Sequence, residues 1–265
     1  MEKTENVMTI LKYYDKYLDE SHNSKHITAV MDHASEWYAK MAESDSWFNS
    51  NVTAVMCKIA ALFHDIGMCE PIYDFISELQ MIESNPSQDK KTIVRKNHHW
   101  VSAEFFWYLV SHETTNCELP FNIKGFDSEW LRRQLTEEEA KLIKRAIFHH
   151  RASTVNEYAM NAFDRYIRSC DGFNTAEGNL YRSIHYYYAR TEDKEDFTAM
   201  AYAVRTHLTE KYLSRDAYSK HLPCKFIETL HQKEVGRLRT YLEVDYPTDD
   251  KLGTYLKSLM NVKKE

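Results

Sequence analysis

The chain has 265 residues, 43% of them apolar, with only 6 Gly and 5 Pro. That length suits one principal domain with appended elements, and so few turn formers argue against a many-stranded sandwich and for helices. A formal charge of −6 with a pI near 6.1 argues against broad nucleic-acid binding, while leaving room for a local basic pocket.

In chain order, helical periodicity runs over 7–18, 24–42, 52–66, 92–111, 137–150, 157–175 and 197–213, with at least one more helix expected towards the C-terminus. No segment alternates as a strand would, so the expected fold class is all-α. Breaks fall at Asp45-Ser46, at Ser84-Asn85-Pro86-Ser87 and from Leu119 to Gly125, and are read as loops between helices. A softer boundary from Glu192 to Asp196 separates an expected core, residues 1–192, from an accessory helical layer, residues 193–265. There is no internal repeat and no low-complexity segment. The five cysteines form no CxxC pair and are odd in number, so a reducing cytoplasm is expected rather than a disulfide framework. Met1 to Glu5 has no apolar run behind it, and no later stretch approaches the ~18 apolar residues of a membrane span. Neither secretion nor membrane insertion is expected.

The chemistry centres on Ala60-Ala61-Leu62-Phe63-His64-Asp65-Ile66-Gly67. An imidazole beside a carboxylate at the end of an apolar helix suits a borderline divalent metal, and the second carboxylate oxygen can reach a second ion. The dipeptide alone suits a helix-terminal hydrogen bond equally well, so its partners decide. Upstream, His26 and His33 lie seven residues apart on one helical face, and either can face the site. Downstream come His98-His99, His149-His150 and Ser169-Cys170-Asp171-Gly172, each on a helix flanked by apolar residues. Ile167 and Cys170 place Asp171 at a partly buried position, where an unpaired carboxylate is costly.

The order His, His-Asp, His, His-His, Asp resembles the HD-domain superfamily of metal-dependent phosphohydrolases over roughly residues 20 to 185. The resemblance implies an HD-type helical bundle and places the ligands at His26, His64, Asp65, His98, His149, His150 and Asp171, with Ser102 in the small position four residues after the third histidine. The ligand order is closest to the HD-GYP branch. Met68 stands where that branch has a lysine, and Arg151-Ala152-Ser153-Thr154-Val155-Asn156 stands where it has its Gly-Tyr-Pro motif, so a cyclic di-GMP phosphodiesterase is not implied.

The expectation is a metal-dependent phosphohydrolase acting on a small phosphate ester or nucleotide. Two divalent transition-metal ions, of Fe, Mn, Zn, Co or Ni, would be held by His26, His64, Asp65 and Asp171 and by Asp65, His98, His149 and His150. Arg151, directly after the histidine pair, and Lys96, just before His98, are the cations expected at a substrate phosphate, with Asp65 central to catalysis. Two other classes share the ligand set: a diiron oxygenase, and a scaffold that binds a nucleotide or protein without turnover. The run Tyr186-Tyr187-Tyr188 is read as packing rather than base stacking. No G-x-S-x-G elbow, P-loop or dinucleotide fingerprint is present.

Overall fold

The computed structural model describes residues 5–18, 22–79, 89–111, 121, 123–151, 160–190, 193–213 and 222–261. Among them are fourteen α-helices and no strand, so the fold is all-α. The chain divides into two compact units, Met1–Gly172 and Phe173–Glu265. The sequence boundary at 192/193 lies inside the second unit. No described helix is long and apolar enough to cross a membrane.

The first unit contains α1 (Glu5–Tyr17), α2 (Ser24–Glu36), α3 (Tyr38–Ser44), α4 (Ser46–Asn51), α5 (Ala54–Phe63), a 3-10 turn (Ile66–Met68), α6 (Glu70–Leu79), α7 (Lys90–Ser111), α8 (Ser128–Gln134), α9 (Glu137–His149) and α10 (Ala162–Gly172). Helix α5 is its axis. It is apolar on nearly every side, with Met56, Cys57 and every residue from Ile59 to Phe63 buried, as a helix enclosed by others must be. Helices α2, α7, α9 and α10 all pack on it. Burying each large aliphatic side chain contributes about 1.5–3 kcal/mol.

The ends of α5 are closed by named groups. Thr53 Oγ1 accepts the Met56 N–H at 3.2 Å at the start. At the end, the carbonyls of Ala61 and Leu62, which no further helical turn can pair, accept from His64 Nδ1 at 2.7 Å and from the Tyr14 hydroxyl at 2.9 Å. The helix expected over 52–66 therefore stops at Phe63, and His64 and Asp65 form the turn beyond it. The helix expected over 24–42 is interrupted at Trp37, which ends α2 and precedes α3. The expected break at Ser84–Ser87 lies outside the described residues, as do Leu119, Pro120 and Asn122 of that at Leu119–Gly125.

Gly67 shows how tightly the turn is clamped. A Cβ there would lie 2.5 Å from the His98 carbonyl and 2.6 Å from the Ser102 nitrogen, so only glycine lets the 3-10 turn lie on α7. Ser102 completes the contact by accepting the Gly67 N–H at 2.8 Å.

The second unit contains α11 (Ala176–Arg190), α12 (Phe197–Leu208) running into a π-turn (Thr209–Leu213), α13 (Lys225–Thr240) running into another (Tyr241–Asp245), and α14 (Asp249–Asn261). Leu180, Ile184, Met200, Val204, Leu238, Leu252 and Leu256 lie in its core, and Tyr187 and Tyr188 pack against that core while Tyr186 is exposed. Arg205 braces the far end, donating to Asp249 at 2.7 Å, to the Leu242 carbonyl at 2.6 Å and to the Tyr246 carbonyl at 2.7 Å. Gly253 brings α14 against the backbone of Phe197, where a Cβ would lie 2.7 Å from the carbonyl oxygen.

Candidate metal centre

Four helices and one turn of the first unit deliver side chains to a single buried cluster. His26 comes from the first turn of α2, His64 and Asp65 from the turn after α5, His98 from the middle of α7, His150 from the C-terminus of α9 and Asp171 from the last turn of α10. His64 is fully buried, Asp65 is 3% exposed and His150 is 3% exposed.

Asp65 lies at the middle. Its Oδ2 is 3.6 Å from His26 Nε2 and 3.4 Å from His64 Nε2. Its Oδ1 is 3.2 Å from His98 Nε2 and 3.4 Å from His150 Nε2. Asp171 Oδ1 joins the first pair, at 3.2 Å from His26 and 3.5 Å from His64. The cluster thus has two halves that share one carboxylate, and in each half three ligand atoms lie within 4.8 Å of one another.

The imidazoles are oriented through their other nitrogen. Nδ1 of His64, His98 and His150 lies 2.7, 2.8 and 2.6 Å from the carbonyl three residues upstream, so each donates Nδ1–H and turns an Nε2 lone pair inward. The Nε2 atoms of His98 and His150 then stand 3.1 Å apart. Two lone pairs and a carboxylate oxygen at that spacing repel unless a cation or a shared proton lies between them. In the other half, the buried Nε2 atoms of His26 and His64 make no well-directed hydrogen bond among the described residues, although carboxylate oxygens lie 3.2–3.6 Å away. Groups that would be costly to bury unsatisfied are what a metal ion satisfies, and imidazole nitrogen with carboxylate oxygen is a suitable donor set.

Without an ion, a proton competes for the same place. Burial opposes a charged His64, but Asp65 and Asp171 outweigh it and raise its pKa well above the ordinary value. Burial likewise opposes ionised Asp65 and Asp171, yet the surrounding histidines hold both carboxyls well below the usual range. Two carboxylates held ionised in so small a volume, among imidazoles, form a group that could hold a metal ion.

The structure separates residues that the sequence left equivalent. Of the two α2 candidates, His26 is in the cluster, while His33 stacks on Trp37 at 4.7 Å with Nδ1 at the Cys170 carbonyl. His98 is in the cluster, and His99 turns to Phe148, its pKa lowered to about 3 by burial and then by His98, His150, Arg151 and His149. His150 is in the cluster. His149 instead directs Nδ1 to Asp164 at 2.8 Å, and that carboxylate also accepts from Arg145 at 2.9 Å. Arg151 donates to the backbone carbonyl of Lys96, which ties the end of α9 to α7, and the Lys96 residue is itself exposed.

Sequence reasoning passed over Asp164. It is fully buried, and it pairs with Asn161 at the start of α10, each side chain accepting the other's backbone N–H at 2.8 and 3.0 Å. The spacing Asn161-x-x-Asp164 was the signal, that of a capping box whose acid then reaches across to α9. Compared with protein-family models, curated proteins and solved structures, the chain matches none.

Proposed function

We propose that the protein is a metal-dependent phosphohydrolase of the HD type, acting on a small phosphomonoester or phosphodiester of nucleotide character. The observation that carries this reading is the position of Asp65, one carboxylate oxygen facing His26 and His64 and the other facing His98 and His150. Such an arrangement suits two ions held side by side, the first by His26, His64, Asp65 and Asp171 and the second by Asp65, His98 and His150. Bound there, divalent ions would supply Lewis acidity, acidifying a coordinated water and neutralising charge on the phosphoryl oxygens.

The chain's own groups do the rest. The carbonyls of Ala61, Arg95 and Ile147 hold three imidazoles in the tautomer that presents Nε2. Asp65 keeps the two halves in register, because any rotation that improves one oxygen's contacts moves the other. Arg151, anchored on the Lys96 carbonyl, carries a fixed positive charge to the end of α9 beside the histidine pair, where it can receive a phosphate. His149 is held by Asp164 instead of joining the cluster. No protein nucleophile is required.

A panel of phosphomonoesters, nucleotides and cyclic nucleotides, assayed with wild type and Asp65→Ala under the metal the protein carries, tests the proposal. Hydrolysis of one class by wild type and its loss in the variant are expected; full activity in Asp65→Ala contradicts it. Oxygen uptake by the iron-loaded chain without any hydrolysis would replace it with the oxygenase reading.

A further inference from the structure

His149 and His150 are consecutive, yet only His150 belongs to the cluster. Adjacent side chains on a helix point about 100° apart, and what fixes the direction of His149 is Asp164, on the first turn of α10. Its carboxylate is fully buried, and one oxygen, Oδ2, carries three donors: His149 Nδ1 at 2.8 Å, Arg145 Nε at 2.9 Å and the Asn161 N–H at 3.0 Å. The Asn161 side chain closes the arrangement by accepting the Asp164 N–H at 2.8 Å. None of these donors can leave without uncovering part of a buried charge, so the ring is firmly held. Held there, His149 lines a surface groove with Trp107, Lys144, Arg145 and Phe148, and it contributes to neither group of candidate ligands.

From this geometry, and resting on the metal-centre reading above, we infer that Asp164 is a positioning residue: it withholds His149 from the cluster and so keeps a coordination position open in the His98–His150 half. That half has three donor side chains among the described residues, His98, His150 and the shared Asp65. An imidazole that starts one residue from His150 is the group best placed to fill the next position once it is released. Structural zinc sites close every position with protein ligands, whereas catalytic ones leave one for water or substrate. Asp164 therefore acts on reactivity through a residue that it keeps away, without itself joining the cluster.

The test uses the whole chain with Zn2+ as the probe. When isotope-labelled histidines are read by nitrogen NMR, adding Zn2+ should shift the Nε2 resonances of His98 and His150 and leave both resonances of His149 in place. A zinc-induced shift at His149 as large as theirs overturns the inference. Asp164→Asn keeps the shape of the side chain and removes the charge that holds Arg145 and His149. It should lower turnover roughly tenfold or more, yet release Zn2+ to a competing chelator no faster than wild type, because the freed imidazole adds a ligand. Adding His149→Leu to that variant should restore turnover several-fold, as removal of an intruding ligand requires. Faster zinc loss from Asp164→Asn, with no recovery on adding His149→Leu, means that Asp164 only braces α9 against α10 and overturns the inference. A wild-type chain that takes up no Zn2+ contradicts the metal-centre reading itself. One that takes up Zn2+ without hydrolysing any phosphate ester contradicts the proposed reaction, and the labelled histidines then decide on Asp164 alone.

Discussion

Asp65 holds its position because four imidazoles surround it, and three of those are fixed by backbone carbonyls three residues upstream. Such i to i−3 contacts are local, so the types and most of the positions of the clustered side chains were legible in the sequence as His-Asp and His-His pairs at helix ends. The choice between His26 and His33 was not, because seven residues on a helix return to the same face and only the packing of Trp37 removes one of them. His149 was read as a ligand because its neighbour is placed as one; the buried carboxylate that claims it lies fifteen residues away, on another helix. His99 gives a prediction at this scale. Its pKa is lowered to about 3, mainly by burial, so between pH 6.5 and 3 the unfolded chain takes up a proton that the folded chain refuses. Stability of the metal-free protein should fall as pH drops from 6.5 towards about 4, before ordinary carboxylates titrate. Replacing His99 with Gln should flatten that limb. Melting temperatures across this range, the same for variant and wild type, would contradict the assignment.

At the level of elements, an amphipathic helix such as α9 was legible because its buried positions recur with helical spacing, and α7 was legible through its length, although from His98 to Leu109 it is buried on most sides. The short helices α4 and α8 were not, being set by the caps Asp45 and Asp127 rather than by periodicity, and α3 was read as a continuation of α2. The stop after Phe63 was also hidden: it depends on Tyr14 and His64 taking the last carbonyls and on Gly67 lying against α7. Gly67→Ala should therefore act on two properties together. The new Cβ meets helix backbone that cannot turn aside, so α7 must shift, at a cost of about 1–3 kcal/mol, and His98 moves with it. A lower melting temperature with reduced metal content is expected; unchanged metal content in a destabilised variant would separate the glycine from the cluster. Ser102→Ala, which leaves the buried Gly67 N–H without its acceptor, should cost about 1–3 kcal/mol in the same assay.

On the scale of the molecule, every residue of the cluster lies within the first unit, from His26 to Asp171. The all-α class was legible from composition and periodicity. The division after Gly172 was not: sequence patterning placed the boundary near the charged stretch at 192, whereas α11 carries Leu180 and Ile184 into the core of the second unit. Gly253→Val should test how far the two units are energetically separate. The branched side chain cannot coexist with the Phe197 carbonyl 2.7 Å away, so the second unit should lose about 1–3 kcal/mol while metal content per chain stays at the wild-type value. Loss of metal in that variant would mean that the cluster depends on the second unit.

The central claim, that Asp65 joins two histidine pairs into one metal centre, is tested most directly by elemental analysis of freshly purified wild type beside Asp65→Ala. The account predicts about two transition-metal ions per chain in wild type, as expected for paired sites sharing a carboxylate, and their loss in the variant. Equal metal content in the two proteins, or none in wild type after reconstitution, would contradict it.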